Sequence, residues 1–277
     1  MCRYCVEFGG GTKWYLNPEN YRQELYTAPG HVHGFSMIAG AGRNTYETGS
    51  VAQLEDRTLD YFHGDGVEAV VKERVMQHAG QVIPLEDALK VVDGLPWNRF
   101  LLTVCYCRKY FGRGDFYSCL FFEPVIEKAL AERPWETDNK VIDKEEAKQF
   151  LIEMDKKGMC HAIYDVGVDA DGRPPVVICN CHTAECLVGA AMFLGRGHRK
   201  GEYVAKVDTE KCRQGCKSYP VCLKMCQFGA IRYSPLENVA SIALERCYGC
   251  GVCRQVCPTG ALELVDRLTY PALVDVW

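Results

Sequence analysis

Cys247-Tyr-Gly-Cys250-Gly-Val-Cys253-Arg-Gln-Val-Cys257-Pro258 is the stretch that decides the fold. It reads C-x2-C-x2-C-x3-C-P without a deviation. With this spacing three thiolates of a tight loop hold one [4Fe–4S] cube, and the fourth reaches across to a neighbouring cube. A second run lies upstream, at Cys212, Cys216, Cys222 and Cys226. Two runs crossing over hold two cubes side by side. Cys212, Cys216, Cys222 and Cys257 then serve one, and Cys247, Cys250, Cys253 and Cys226 the other. The first run is irregular: C-x3-C-x5-C-x3-C, with Gln227 where proline usually follows and a long loop from Lys217 to Val221. An enlarged loop still closes on a cube, so all four cysteines stay candidate ligands.

From about Tyr203 to Arg267 the chain resembles the bacterial-type two-cluster ferredoxins. The resemblance implies single-electron transfer. Around the cysteines the order reads β-α-β-β-α-β, with strands at Tyr203–Val207, Ala230–Tyr233, Val239–Leu244 and Ala261–Val265 and a turn at Ser234-Pro235. Val221, Ile231, Ile242, Ala243, Val252 and Leu262 are expected to pack around the cubes and keep water out, which affects the potential.

Two rival readings of the cysteines are weaker. A disulfide framework belongs to oxidising compartments, and the residues after Met1 offer no apolar h-region of a secretory signal. The expectation is therefore a cytoplasmic chain whose cysteines bind metal. Structural zinc prefers two C-x2-C pairs separated by a spacer and has no use for three cysteines in a tight loop closed by Cys-Pro.

At 277 residues the chain exceeds one small ferredoxin, and two or three domains are expected. We divide it into a Gly/Tyr-rich segment over 1–50, a helical cysteine-containing domain over 51–200, and the ferredoxin domain over 201–277. No apolar stretch is long enough to span a bilayer. The net charge of −4 argues against a nucleic-acid binder. Arg196, His198, Arg199 and Lys200 make a compact basic run, in a glycine-rich loop that reads as solvated. From Gly201 onward nine Lys/Arg face eight Asp/Glu, a nearly neutral module. Small shuttle ferredoxins tend to be acidic, so this one looks like a wired-in subunit and not a diffusing carrier.

Upstream, Cys2 and Cys5 form a C-x2-C pair. Gly9-Gly10-Gly11 and Ala39–Arg43 lack the rest of a phosphate or dinucleotide fingerprint. The middle reads as mostly helical. Helices are expected over Asp65–Ala79, after Pro84 to Gly94, over Glu123–Glu132, and from the cap Asp143, boxed by Glu146, to Gly158. A hairpin follows, with Ala162–Val168 and Val176–Cys179 as its arms.

Two C-x-C motifs drop into this scaffold: Cys105-Tyr-Cys107 after an apolar run, and Cys179-Asn-Cys181 at the end of the hairpin. In extended backbone residues i and i+2 share a face, so each motif presents two thiolates together. Two such segments in contact would supply the four thiolates of a further cube. Cys119 and Cys186 lie near in sequence, and Cys160 reads as packing. From about Val67 onward the chain also resembles a group of anaerobe iron–sulfur proteins. These combine a Cys-Tyr-Cys-Arg segment, a later Cys-Asn-Cys segment and a C-terminal two-cluster ferredoxin domain. His182, Ala184 and Glu185 stand where such proteins often carry more cysteines.

The expected fold class is α+β, a mostly helical N-terminal region with a β-hairpin followed by the ferredoxin domain. The cofactors expected are two [4Fe–4S] clusters in that domain and one or two more upstream, with ligands among Cys105, Cys107, Cys179, Cys181, Cys119, Cys186, Cys2 and Cys5. The expected function is an electron-transfer subunit of an oxygen-sensitive, hetero-oligomeric redox complex. Its partner would be a flavoprotein, a hydrogenase-like module or a reductase. No flavin or nicotinamide fingerprint is present, so two-electron chemistry falls to another chain. The alternatives are an enzyme whose N-terminal cluster has an open iron, with His182 and Glu185 as proton donors, and a cluster-assembly scaffold.

Overall fold

The computed structural model describes residues 3–27, 80–105, 108, 116–132, 134, 136–164, 176–184, 199–216 and 220–277. Its centre is a six-stranded antiparallel sheet: β1 (Gly80–Ile83), β2 (Phe100–Val104), β3 (Tyr117–Phe122), β4 (Lys140–Ile142), β5 (Cys160–Tyr164) and β6 (Val177–Cys181), in the order β1-β5-β6-β3-β2-β4. The expectation of a mostly helical N-terminal region is therefore corrected. The hairpin is present as β5 and β6, and four more strands flank it. Every residue of β1, β2 and β6 is buried. Strands covered on both faces show no polar alternation, and so no period-2 signal.

Each face of the sheet has its own core. On one face Phe100, Leu120, Phe122 and Ile178 meet the helices Leu85–Gly94 and Lys144–Lys156, together with Trp14, Tyr15 and Tyr21 from the N-terminal segment. The Lys144–Lys156 helix opens on the expected capping box, with the Asp143 side chain accepting from the Glu146 amide and the Glu146 carboxylate from the Asp143 amide. On the other face Leu101, Phe121, Val177, Cys179 and Cys181 meet the helix Ile126–Glu132, and also Phe228 and Tyr248 of the C-terminal module. The expected Glu123–Glu132 helix is split, its first three residues forming a 3-10 turn. The expected Asp65–Ala79 helix lies outside the described residues.

The C-terminal module has four strands where four were expected, with two helices before the second strand where the expected order has one. Strands β7 (Tyr203–Val207) and β10 (Leu262–Asp266) pair antiparallel, as do β8 (Ile231–Ser234) and β9 (Val239–Ile242). Helices Thr209–Gly215 and Val221–Met225 precede β8, and Val252–Gln255 precedes β10. Its last residues fold back on the chain: Leu273 is buried, and the Trp277 ring lies under the guanidinium groups of Arg199 and Arg267. Among the described residues no helix is long and apolar enough to cross a membrane.

Candidate metal centres

The eight C-terminal cysteines separate into two quartets, each around its own cavity. One cavity is lined by Cys212, Cys216, Cys222 and Cys257. The other is lined by Cys226, Cys247, Cys250 and Cys253. Each draws three thiols from one run and one from the other. The long loop of the first run does not prevent this, since Cys216 and Cys222 both reach the first cavity.

Local folding explains the placement. The Asp208 side chain caps the Thr209–Gly215 helix, and Cys212 is buried within it. Gly249 has φ of 72° and runs so close to β7 that a Cβ would lie 2.2 Å from the Tyr203 carbonyl oxygen. Only glycine fits such a turn. Of the expected apolar wall, Ile231 and Ile242 line the second cavity and Val221 and Leu262 the first. Ala243 and Val252 line neither, and Val252 is buried elsewhere in the module.

Of the backbone amides that point at sulfur, one pair per cavity repeats a pattern. Ala240 donates to Cys212 at 3.4 Å and Ala261 to Cys257 at 3.2 Å. Ala205 donates to Cys247 at 3.3 Å and Ala230 to Cys226 at 3.3 Å. In each pair one amide lies four residues beyond its cysteine and the other belongs to a distant strand. The same construction is thus used twice. Amides on the sulfurs stabilise thiolate and help set a cluster's potential.

The donor chemistry fits a cluster. Burial pushes the Cys222 thiol up to about 11 and the Cys250 thiol up to about 12, and raises Cys216, Cys247 and Cys253 as well. Against the upward push of burial, hydrogen bonds from the Thr259 hydroxyl and from the Ala261, Thr259 and Leu262 amides bring Cys257 below its ordinary value. Thiolates in so apolar a setting need a compensating cation, and a coordinating metal deprotonates them outright. Among the described residues no three Cys, His, Asp or Glu side chains converge on a single ion. Thiols held apart around a cavity suit the separated corners of a cube better than one zinc.

Arg267 was not legible in the sequence. It is fully buried at the end of β10 and donates to the carbonyls of Gly201 at 2.8 Å, Tyr203 at 3.1 Å and Cys247 at 2.7 Å. Burial lowers its pKa, and the neighbouring Cys247 works in the opposite direction.

Upstream, Cys119 on β3 faces Cys179 on β6 across the ladder, with their sulfurs 3.0 Å apart. Cys105 follows β2, is buried, and is also hydrogen-bonded to Cys119. Those two thiol contacts, Cys105 first and Cys179 second, and then burial push the Cys119 thiol well above its ordinary value. Cys181 is buried opposite Cys160. Cys5 lies in the helix Arg3–Phe8, where its thiol donates to the Glu202 carboxylate at 3.1 Å. Cys2, Cys107, Cys186 and Glu185 lie outside the described residues. His182 accepts from the Ala184 amide through Nδ1 at 3.2 Å.

Residues 214–261 match the 4Fe-4S dicluster domain. The C-terminal segment is accordingly a two-cluster ferredoxin-type domain holding two [4Fe–4S] clusters. Over 71 residues the chain is 42% identical to a component of the ion-translocating oxidoreductase complex of Methanosarcina acetivorans, covering 26% of this chain and 25% of that one. Over 91 residues it is 30% identical to a component of the Na(+)-translocating ferredoxin:NAD(+) oxidoreductase complex of Acetobacterium woodii, covering 33% and 27%. It is also 39% identical over 67 residues to translation initiation factor RLI1 of Chaetomium thermophilum, covering 23% of this chain and 10% of that one. The chain thus spans about a quarter of the length of the two oxidoreductase components. No solved structure matches it.

Proposed function

We propose that this protein is an iron–sulfur electron-transfer subunit of a hetero-oligomeric redox complex, in an oxygen-sensitive and cytoplasmic setting. The observation that carries the reading is the pair of four-thiol cavities, each filled from both cysteine runs. In this reading Cys212, Cys216, Cys222 and Cys257 hold one cluster, and Cys226, Cys247, Cys250 and Cys253 hold the other. Each cluster, when bound, takes up and gives back one electron. The chain's own part is to bury the sulfurs, aim amides at them and exclude water.

Residues 201–277 form the electron-carrying module, and the sheet domain anchors it. Arg254 of the module pairs with Glu86 at 2.7 Å, and the Gln227 side chain donates to the Gly158 carbonyl at 3.0 Å. A carrier so tied to its scaffold suits a fixed place in a complex, where a flavoprotein, hydrogenase-like module or reductase would exchange electrons with it. Likeness to components of two oxidoreductase complexes supports this reading. The chain is also similar to a translation factor over 67 residues, so the test must be redox.

The test is anaerobic purification of the full chain, iron and sulfide quantitation, and potentiometric EPR. The expected result is two one-electron reductions with spin–spin interaction between the two dicluster centres. A colourless protein that takes up stoichiometric zinc, or clusters that no low-potential donor reduces, would overturn the proposal.

A further inference from the structure

One pair of thiols in the sheet domain stands in direct contact and has no part in either cavity. Cys119 of β3 and Cys179 of β6 lie opposite one another in the antiparallel ladder, with their sulfurs 3.0 Å apart. The register decides what kind of pair this is. The Phe122 amide donates to the Val176 carbonyl at 2.9 Å, and hydrogen-bonded positions alternate along such a ladder. Cys119, three residues before Phe122, therefore forms a non-hydrogen-bonded pair with Cys179, the type whose side chains lie closest. The Cα atoms of such a pair are about 4.5 Å apart, within the range of about 4.4–6.8 Å that a disulfide spans. A disulfide is about 2.05 Å long, so the sulfurs need to approach by only about 1 Å.

Two touching thiols contribute little as packing, since S–H is a weak donor and a central strand suits valine or isoleucine better. They are also too close to share a metal. A tetrahedral zinc at about 2.3 Å from each sulfur would hold them about 3.8 Å apart. Their placement suits a bond between them. We infer that Cys119 and Cys179 are a redox-active dithiol, which closes to a disulfide between β3 and β6 and is reopened by electrons from the two-cluster module.

Module and pair match in stoichiometry. Each cluster gives one electron, and opening one disulfide takes two. The S–S bond breaks, each sulfur takes one electron and one proton from water, and two thiols result. Contact with Cys105 and Cys179, and then burial, push the Cys119 thiol up, so the reduced pair stays protonated. The reverse step gives the electron pair to a peroxide. With hydrogen peroxide the O–O bond breaks, the S–S bond forms and two waters leave. The surroundings support both steps. Cys179 belongs to the apolar core that also holds Phe228 and Tyr248. Cys119 packs against that core, as do Cys226 and Cys250, which line the second cavity. Cys119 is also partly exposed, so a small oxidant reaches it.

This inference rests on the electron-transfer reading, and its own failure is distinguishable. The full chain, purified anaerobically, is treated with one equivalent of diamide, which takes up the electron pair and both protons of a dithiol. Peptide mass spectrometry after alkylation should find Cys119 joined to Cys179, with the iron content unchanged. Reducing equivalents are then added stepwise and the EPR signal is followed. The untreated chain should reach its full two-cluster signal with about two electrons, and the treated chain only with about four, because the disulfide takes the difference. Cys119→Ser treated in the same way should need about two. Should that variant fail to fold, the treated and untreated wild type still decide. No link, a link from Cys119 to Cys105 instead, or the same electron count before and after treatment would overturn the dithiol and leave the electron-transfer reading intact. Clusters that take up no electron in the untreated chain would overturn that reading, and this inference with it.

Discussion

The Arg267 guanidinium donates to the backbone carbonyl of Cys247 at 2.7 Å, setting a buried positive charge against the loop that supplies three thiols to the second cavity. Arg267→Leu removes the donor from the carbonyls of Gly201, Tyr203, Cys247 and Val276 at once, and a cost of about 3–5 kcal/mol follows. It also removes the buried positive charge beside this cluster, so the second cluster's reduction potential should fall while the first cluster's stays. Arg267→Lys separates the two effects. It keeps a cation but loses the planar fork, so stability should drop while the potential changes less. Thermal melts and potentiometric EPR of both variants read this out. Equal potentials in wild type and Arg267→Leu would refute the charge effect.

The crossed origin of the two quartets makes a sharper forecast for ligands. Cys226 belongs to the first run but lines the cavity of the second, and Cys257 does the reverse. Cys226→Ala should therefore match Cys253→Ala, with loss of about four irons and survival of the first-cavity signal. Cys257→Ala should match Cys222→Ala. Pairing by run, with Cys226→Ala resembling Cys222→Ala, would show that each run holds its own cluster.

Much of this was legible in the residues, for a physical reason. Cluster ligands are constrained locally: C-x2-C-x2-C is itself the shape of the loop, and the Asp143–Glu146 box is decided within one helical turn. The six-stranded sheet was not legible, because β1, β2 and β6 are covered on both faces and their apolar runs lack alternation. The meeting of Cys119 with Cys179 depends on strand register between segments far apart in the chain. C-x-C spacing pointed to Cys179 and Cys181 as a pair, but nothing in it selects Cys119 as the opposing thiol. Arg267 likewise follows an ordinary strand, and only the fold shows which carbonyls it serves.

Two glycines of the module test the close approach directly. Gly249 and Gly260 both have positive φ, 72° and 62°. At Gly260 a Cβ would meet nothing within 4 Å, whereas at Gly249 it would meet the Tyr203 oxygen at 2.2 Å and carbon at 2.8 Å. Gly260→Ala should cost only the left-handed strain, about 1–2 kcal/mol. Gly249→Ala adds a backbone collision and should cost about 2–5 kcal/mol, with loss of the second cluster. Iron content and melting temperature of the two variants compare these costs. Equal behaviour would mean that β7 and the cysteine loop are not in contact.

Glu136 places a buried carboxyl in the chain leading to β4. Burial raises its pKa from 4.5 to about 7, opposed by a hydrogen bond with Asn139. The folded protein therefore holds this proton more tightly than the unfolded chain does between those two values. Stability contributed by the protonated form is present below the lower value and is lost as pH rises towards the upper one; above it the penalty is constant. Glu136→Gln keeps the shape and removes the titration. It should raise the melting temperature by several degrees at about pH 8, where the ionised carboxyl costs roughly 1–3 kcal/mol, and change little at about pH 5. Anaerobic circular-dichroism melts of wild type and variant at both pH values measure the difference. A variant that gains equally at both, or loses at the higher pH, would show that Glu136 ionises in the folded protein without penalty.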